Sequence, residues 1–168
     1  MSNKEAKRIV HPIEAVYDKN SKILILGSFP SVKSREYGFF YGHPQNRFWR
    51  IVARICNEAT PVTNEGKAKF LLNNNIALWD VIESCEIVGS SDSSIKNVKV
   101  NDINKILDVA DISAVFTNGK TADKLFKSYL EEVTGIKTIC LPSTSPANAA
   151  WNEERLYEHW KRELSKYK

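Results

Sequence analysis

The sequence has few residues of the kinds that form disulfide frameworks and metal sites. Its three cysteines, Cys56, Cys85 and Cys140, lie far apart and include no Cys-x-x-Cys pair. This spacing argues against a disulfide framework and against a Cys-rich metal or iron–sulfur site, and it predicts three small buried hydrophobic residues. The three histidines have no ligand spacing either, so we expect no metal.

Long apolar runs and glycine-rich phosphate loops are also missing. No run approaches the length of a membrane span, and the N-terminal stretch MSNKEAKRIVHP has no apolar signal core. We therefore expect a cytoplasmic protein without a membrane partner. Neither Gly-x-Gly-x-x-Gly nor a Walker-type motif is present, which argues against an ordinary nucleotide-binding α/β protein.

The composition is that of an ordinary globular domain. The 168 residues are 42% hydrophobic and 26% charged, which fits a single domain over 1–168 with a polar lead-in over 1–21. The net charge of +4 suits a protein that touches phosphates, but many cytosolic proteins without that role carry a similar charge. Charge alone therefore does not assign a function.

Short apolar runs alternate along the chain with segments of helical periodicity. Runs that fit buried strands occur at 22–27, 76–80, 112–118 and 135–142. Helical spacing covers 44–57, 64–74, about 101–110, 119–133 and 152–166. The segment 28–43 is loop-like, and 84–98 contains a turn-rich stretch, 89–94, that indicates a surface loop. This alternation predicts an α/β fold with a parallel sheet covered by helices on both sides.

Each predicted strand is followed by a polar segment, usually with glycine or proline. The four segments are 27–30, 79–80, 117–119 and 142–146. Since open α/β sheets place ligands beyond the carboxyl ends of their strands, we expect these segments to meet at one edge and form a ligand pocket.

The segment after the first strand is rich in aromatic residues and leads into a helix that starts near Pro44. Rings such as Phe29 and Tyr41 can stack on a flat ligand such as a base, or they can pack against the helices. Asn46 can hold a water or a base, although capping is the commoner use of asparagine. Arg47 can meet a phosphate or remain solvated.

Two later segments also place polar groups at strand ends. Asn118 offers an amide donor and a carbonyl acceptor that can read a base edge, or it is a turn residue before a helix. The loop 141–149 sets hydroxyl residues between two prolines. It can hold a phosphate or enter a nucleic-acid groove, or it can simply lead into the last helix. Asp80 could align a water or end its strand, and 90–95 alone indicates a surface loop.

Six motifs, taken in order, resemble the uracil-DNA glycosylase superfamily, and within it the hypoxanthine-DNA glycosylase (DNA-deoxyinosine glycosylase) branch. They are Gly-Ser-Phe-Pro at 27–30, Tyr-Gly-His-Pro-Gln-Asn-Arg-Phe-Trp at 41–49, Leu-Trp-Asp-Val at 78–81, Asp-Ser-Ser-Ile at 92–95, Thr-Asn-Gly at 117–119 and Pro-Ser-Thr-Ser-Pro-Ala-Asn at 142–148. The resemblance implies a three-layer α/β/α fold with a central four-stranded parallel sheet in the order 2-1-3-4. It also implies a monofunctional DNA glycosylase that needs no cofactor.

The resemblance also implies roles for individual residues. Phe29 stands where the mismatch-specific branch has a catalytic asparagine, so Asn46 is expected to position the attacking water instead. Asn118 is expected to read the base edge and Tyr41 to stack on the extruded base, with Ser28 and Phe29 as further base contacts. The expected DNA contacts are His43, Arg47, Ser143, Thr144, Ser145, Pro146, Ala147 and Asn148.

The expected substrate is double-stranded DNA with a deaminated base, hypoxanthine first, and the protein is expected to act as a monomer. In this mechanism the damaged nucleotide is flipped out, Asn118 and backbone N–H groups stabilise the departing base, and Asn46 orients the water. One alternative is a mismatch-type uracil- or xanthine-DNA glycosylase. The other, supported by Phe29, is a DNA-binding relative with weak catalysis.

Overall fold

A computed structural model describes residues 5–167 of the chain, and the residues described form two β-sheets. Strands β1 Lys7–Val10, β2 Ile23–Gly27, β3 Ile76–Asp80, β4 Ile82–Ile87, β5 Lys96–Val100, β6 Ala114–Asn118 and β7 Ile139–Leu141 follow one another along the chain. The parallel sheet has the order β3-β2-β6-β7 and the antiparallel sheet the order β1-β4-β5. The predicted order 2-1-3-4 of the parallel strands is thus confirmed.

Within residues 5–167 there are seven α-helices, six between the strands and one after β7. They are α1 Val32–Tyr37, α2 Phe48–Ile55, α3 Asn64–Asn73, α4 Asn104–Leu107, α5 Lys120–Tyr129, α6 Glu131–Thr134 and α7 Glu153–Leu164. Ser31, Thr63 and Asn152 cap the helices α1, α3 and α7 by accepting a bond from the backbone N–H three residues on. In this part of the chain no helix combines the length and apolar character that crossing a bilayer requires.

The parallel sheet is covered on both faces. Every residue of β2 and β3 is buried, and successive side chains of a strand point to opposite faces. Each fully buried aliphatic side chain of this kind contributes about 1.5–3 kcal/mol to folding. Helices α2 and α7 pack together, with the Phe48 and Trp160 rings edge to face at 5.9 Å. The three-layer α/β/α arrangement expected from the sequence is therefore the observed one.

The turn-rich stretch 89–94 lies at the surface, as expected, but the sequence does not predict the strands on either side of it, β4 up to Ile87 and β5 from Lys96. The inward residues Ile82, Cys85 and Ile87 form a second small core together with Phe29. The glycine- and serine-rich turn between β4 and β5 interrupts the alternation of apolar and polar residues. The partners of β4 are β1, which is remote in sequence, and β5, which lies across that turn. The pattern of this stretch therefore resembles a loop.

The lead-in over 1–21 is also more structured than its polar composition suggests, although residues 1–4 lie outside the described residues. It contains β1, which pairs with β4 in the antiparallel sheet. Val16 forms an isolated bridge with Leu78 and so covers the outer edge of β3. Helix α1 likewise occupies part of the loop expected over 28–43, and α4 is shorter than the helix expected over 101–110.

The expectation that all three cysteines are buried is right only for Cys85. Cys56 is half-buried where α2 ends, and Cys140 is exposed in β7. Cys140 thus lies at the edge of the parallel sheet, where β7 is the last strand.

Asp123 ties α5 to the sheet. Its Oδ1 accepts hydrogen bonds from the hydroxyls of Thr117 at 2.8 Å and Thr138 at 2.7 Å, and its Oδ2 pairs with Lys127 at 2.8 Å. Burial acts to raise the pKa of Asp123, but the bonds from Lys127, Thr138 and Thr117 outweigh it and hold the pKa below its usual value.

A carboxyl group with a lowered folded-state pKa stabilises the fold above its unfolded pKa, near 4, and loses that contribution as the pH falls through the folded value. We expect Asp123→Asn to lower the free energy of unfolding by about 1–3 kcal/mol at pH 7, and the difference from wild type to shrink at pH 3. Urea denaturation at both pH values measures this, and an equal difference at both would contradict it.

Candidate functional site

A pocket of about 310 Å³ lies at the carboxyl edge of the parallel sheet. Its lining includes Gly27 at the end of β2, Asp80 at the end of β3, Asn118 at the end of β6 and Ser143 just beyond β7. The volume is at the lower end of the range for small-molecule sites, ~300–1,000 Å³. The expectation that the polar strand ends meet in one pocket is confirmed.

Most residues that the sequence singled out line this pocket. Those in the lining are Ser28, Phe29, Tyr41, His43, Asn46, Asn118, Ser143, Thr144, Ser145, Pro146 and Ala147. Arg47 and Asn148 are not among the lining residues, and both bind the backbone of the loop 143–151 instead. A larger, shallow depression beside β1 contains none of these residues.

Thr144 links the two asparagines of the pocket. Its buried hydroxyl donates to Asn46 Oδ1 at 2.9 Å and accepts from Asn118 Nδ2 at 3.0 Å. Its backbone N–H donates to Asn118 Oδ1 at 3.1 Å. The side chains from the segment before α2, from β6 and from the loop after β7 are thereby fixed relative to one another.

This network determines what Asn46 can offer a ligand. Asn46 Oδ1 also accepts the backbone N–H of Phe48 at 3.0 Å, so its two lone pairs are both occupied. The Nδ2 amide remains, and it can only donate. Asn46 therefore fits a water or substrate oxygen that accepts a hydrogen bond, and this role stays a prediction. Its Oδ1 already accepts the first backbone N–H of α2, which is a capping interaction.

Arg47 clamps the loop that follows β7. Its guanidinium donates to the backbone carbonyls of Thr144 at 3.3 Å, Ser145 at 2.7 Å, Asn148 at 3.3 Å and Trp151. Four of its five N–H groups are thus used within the protein. The solvated role considered for Arg47 is wrong, and the structure gives it a positioning role in the loop. A direct phosphate contact stays a prediction.

Three other groups hold the same loop. Asn148 Nδ2 donates to the Ser143 carbonyl at 3.0 Å, and Trp160 Nε1 donates to the Pro142 carbonyl at 2.9 Å. Gly119 has a φ of +98°, and a Cβ there would lie 3.1 Å from the Cβ of Ser143. Because the backbone bends so close to the loop, only glycine fits between Asn118 and α5.

Tyr41 lines the pocket, and part of its ring is already in contact with the protein. One face of its ring stacks on Phe48 at 4.3 Å, and its hydroxyl is buried with no hydrogen-bond partner among residues 5–167. Burial raises the pKa of Tyr41, and the charge of Asp80 adds to the rise. The amide of Asn118 opposes the rise, without the geometry of a hydrogen bond.

His11 and Asp80 form a buried pair that the sequence did not reveal. His11 Nε2 lies 2.7 Å from Asp80 Oδ2, and the two side chains are 2% and 4% exposed. His11 comes directly after β1, far along the chain from Asp80, in a stretch that looks like a polar lead-in. The only sequence signal that could have drawn attention to His11 is the proline that follows it, and this signal is weak.

The segment 90–95 is part of the pocket, although its composition alone indicates a surface loop. Ser90 and Asp92 line the pocket, and Asp92 Oδ1 lies 3.5 Å from the Ser28 hydroxyl. Burial raises the pKa of Asp92, bonds from Thr121 and Ser28 oppose this, and the charge of Asp80 adds to it. The pocket therefore holds two carboxyl groups, Asp80 and Asp92.

Comparison with known proteins is consistent with this geometry. Residues 14–166 match the family model described as Uracil DNA glycosylase superfamily. A curated relative from Methanosarcina acetivorans, named Hypoxanthine DNA glycosylase, is 37% identical over 143 residues, which are 84% of this chain and 89% of the relative. A second of the same name, from Methanosarcina barkeri, is 36% identical over 135 residues, or 79% and 84%.

A solved structure has the same fold. The solution NMR structure of a Methanosarcina acetivorans protein, named as a candidate uracil DNA glycosylase, matches with a TM-score of 0.76 at 34% identity. The match covers 96% of this chain and 98% of that chain.

The clamp formed by Arg47 is testable by substitution with lysine. Lysine keeps the charge but cannot reproduce the planar fork that reaches several carbonyls. We expect the amides of Asn148 and Trp151 to exchange hydrogen for deuterium about tenfold faster or more in Arg47→Lys. Arg50→Lys is the matched control, since Arg50 is exposed and pairs with Glu153 at 2.8 Å. Equal exchange in both variants would contradict the clamp.

Proposed function

The chain belongs to the uracil DNA glycosylase superfamily, and on that premise we propose that it is a DNA glycosylase that excises hypoxanthine. The observation that carries the proposal is the likeness to two proteins named Hypoxanthine DNA glycosylase over most of the chain. The matched residues 14–166 include Asn46, Asn118 and the loop 143–148. The chemistry of the pocket supports the same reaction.

The substrate is double-stranded DNA in which adenine has been deaminated to hypoxanthine. The damaged nucleotide leaves the base stack and enters the pocket, which costs least at a weakened pair. The loop 143–148 forms part of the pocket rim, with Pro146 and Ala147 exposed. In this position it can enter the groove that the extruded nucleotide vacates.

The reaction is hydrolysis of the N-glycosidic bond. The bond between the sugar C1′ and the base nitrogen breaks, its electron pair leaves with the base, and a water oxygen bonds to C1′. The proton lost by the water balances the anionic base, so that free hypoxanthine and an abasic site result. Hydrogen bonds to the departing base and a positioned water lower the barrier.

Asn46 is the proposed water-positioning residue, acting through its Nδ2 amide. Asn118 still has one N–H and one lone pair beyond its bonds to Thr144, and these can meet the base edge. Tyr41, Phe29 and Ser28 contribute to the base pocket. His43 and the loop 143–148 contact the DNA, and Arg47 shapes that loop.

We propose further that the enzyme acts as a monomer and without a cofactor. A substrate of this kind requires the enzyme to be where the cellular DNA is. We therefore expect it in the cytoplasm, beside the nucleoid if the cell is prokaryotic.

A panel of lesions tests the substrate. Purified protein is incubated with duplexes that carry hypoxanthine, uracil or xanthine, and alkali then cleaves the abasic sites. We expect strand cleavage to be fastest for hypoxanthine, because the two relatives named Hypoxanthine DNA glycosylase match most of this chain. Faster cleavage at uracil or xanthine would favour the mismatch-type alternative, and no cleavage with retained lesion binding would favour the weakly catalytic one.

Two variants of Asn46 test its role. Asn46→Ala removes the amide, and we expect the single-turnover rate on hypoxanthine to fall by about 10²–10³, as for other preorganised donors. Asn46→Asp keeps Oδ1 for Phe48 and Thr144 but loses the Nδ2 donor, so we expect a comparable loss. Circular dichroism checks that both variants fold.

The matched control is Asn20→Ala. Asn20 is exposed in the turn before β2, at the amino edge of the sheet, opposite the pocket. We expect wild-type rates for this control. If Asn46→Ala cleaves as fast as wild type, the assignment of Asn46 is wrong.

A further inference from the structure

We propose that Asp80, held in place by His11, recognises the ring N–H group that deamination creates on a base. The inference rests on the proposed function and names the group that distinguishes a deaminated base from its parent. It is carried by the geometry of the His11–Asp80 pair and by the surroundings of that pair in the pocket.

The hydrogen-bond pattern fixes the proton on His11. Its Nδ1 accepts the backbone N–H of Ile13 at 3.1 Å, so that nitrogen carries no proton in this arrangement. Nε2 must then carry the proton and donate it to Asp80 Oδ2 at 2.7 Å. His11 thereby orients the carboxylate through one donated hydrogen bond.

The second carboxylate oxygen, Oδ1, lies close to Gly27 and Tyr41. A Cβ added to Gly27 would collide with Asp80 Oδ1 and would lie 3.0 Å from the Tyr41 hydroxyl oxygen. All three residues line the pocket. Glycine at position 27 thus leaves room for an acceptor, Asp80 Oδ1, beside a buried hydroxyl donor, Tyr41, that has no partner among the described residues.

Asp80 retains an acceptor for a ligand. His11 occupies Oδ2, and no hydrogen bond from another group among residues 5–167 reaches Oδ1. A donor supplied by a ligand would satisfy Oδ1. The pair is therefore arranged for a partner that carries an N–H or O–H group.

The surroundings of Asp80 suit a flat base. The rings of Phe29 and Phe40 pack against His11 at centroid distances of 5.8 and 5.9 Å, and both residues line the pocket. Asn118, at the end of β6, lies across β2 from Asp80, and the two strand ends are about 10 Å apart. The base fits between them, with one edge toward Asp80 and another within reach of Asn118. The sugar then lies toward Asn46.

The chemistry of deamination matches a carboxylate at this position. Deamination of adenine converts N1 from an acceptor into an N–H donor, and it converts the amino group into a carbonyl. A carboxylate can only accept, so it pairs with N1–H of hypoxanthine and faces the lone pair of N1 in adenine. The Tyr41 hydroxyl can donate to the new carbonyl. Guanine also carries N1–H, so its rejection must come from contacts with its 2-amino group.

The test measures binding, so that it still reports when catalysis is lost. The probes are duplexes with non-cleavable 2′-fluoro analogues of deoxyinosine and of deoxynebularine, whose purine has neither N1–H nor the carbonyl. We expect wild type to bind the deoxyinosine probe more tightly. Asp80→Asn has the same shape, but its amide can donate as well as accept, so we expect the preference to shrink about tenfold or more.

Variants of His11 provide the positioning test. His11→Gln retains an N–H donor toward Asp80, whereas His11→Leu removes it. We expect His11→Leu to lose most of the preference for deoxyinosine and His11→Gln to recover it. A merely structural role for His11 would lower stability in both variants and leave the preference unchanged. Affinity for an abasic-site duplex, which has no base to recognise, is the internal control and should not change.

The outcomes separate this inference from the proposed function. If wild type cleaves at hypoxanthine but Asp80→Asn keeps the wild-type preference, the inference is overturned. A loss of rate with an unchanged preference would assign Asp80 to aligning the water instead. If wild type does not cleave at hypoxanthine, the proposed function fails first, and the inference fails with it.

Discussion

The site depends on the parallel alignment of β3, β2, β6 and β7, which brings four carboxyl ends to one edge of the sheet. Gly27, Asp80, Asn118 and Ser143 would be far apart in an extended chain, and only this alignment makes them neighbours. The alignment itself is secured by burial, since β2 and β3 have no exposed residue. Apolar core and polar pocket are thus two consequences of the same strand pairing.

Strand pairing alone does not fix the loop after β7. Hydrogen bonds from side chains hold this loop in place. Arg47 holds four backbone carbonyls of the loop, and Thr144 joins Asn46 to Asn118. Ordering such a loop costs conformational entropy, and these bonds offset it before any ligand arrives. A preorganised pocket needs less rearrangement in the transition state, which is the physical basis of the proposed catalysis.

The sequence predicts what is local and periodic, and it misses what depends on remote partners. The apolar runs at 22–27 and 76–80 predict β2 and β3 because each run is short, continuous and buried. The sequence does not predict the antiparallel sheet, because β1 and its partner β4 are far apart along the chain. His11 is missed for the same reason. The role of Arg47 is missed because four backbone carbonyls leave no signature in side-chain patterns.

The residue at position 29 connects the two sheets with the chemistry of the pocket. Phe29 follows β2 directly, yet its ring lies in the second core with residues of β4 and packs edge to face against His11 at 5.8 Å. A polar side chain there would reach the pocket but would not support the His11 ring. Phenylalanine instead favours the orientation in which His11 meets Asp80. The absence of an asparagine at this position is therefore compatible with the proposed activity, in which Asn46 offers an amide from the segment before α2 and Asp80 recognises the base.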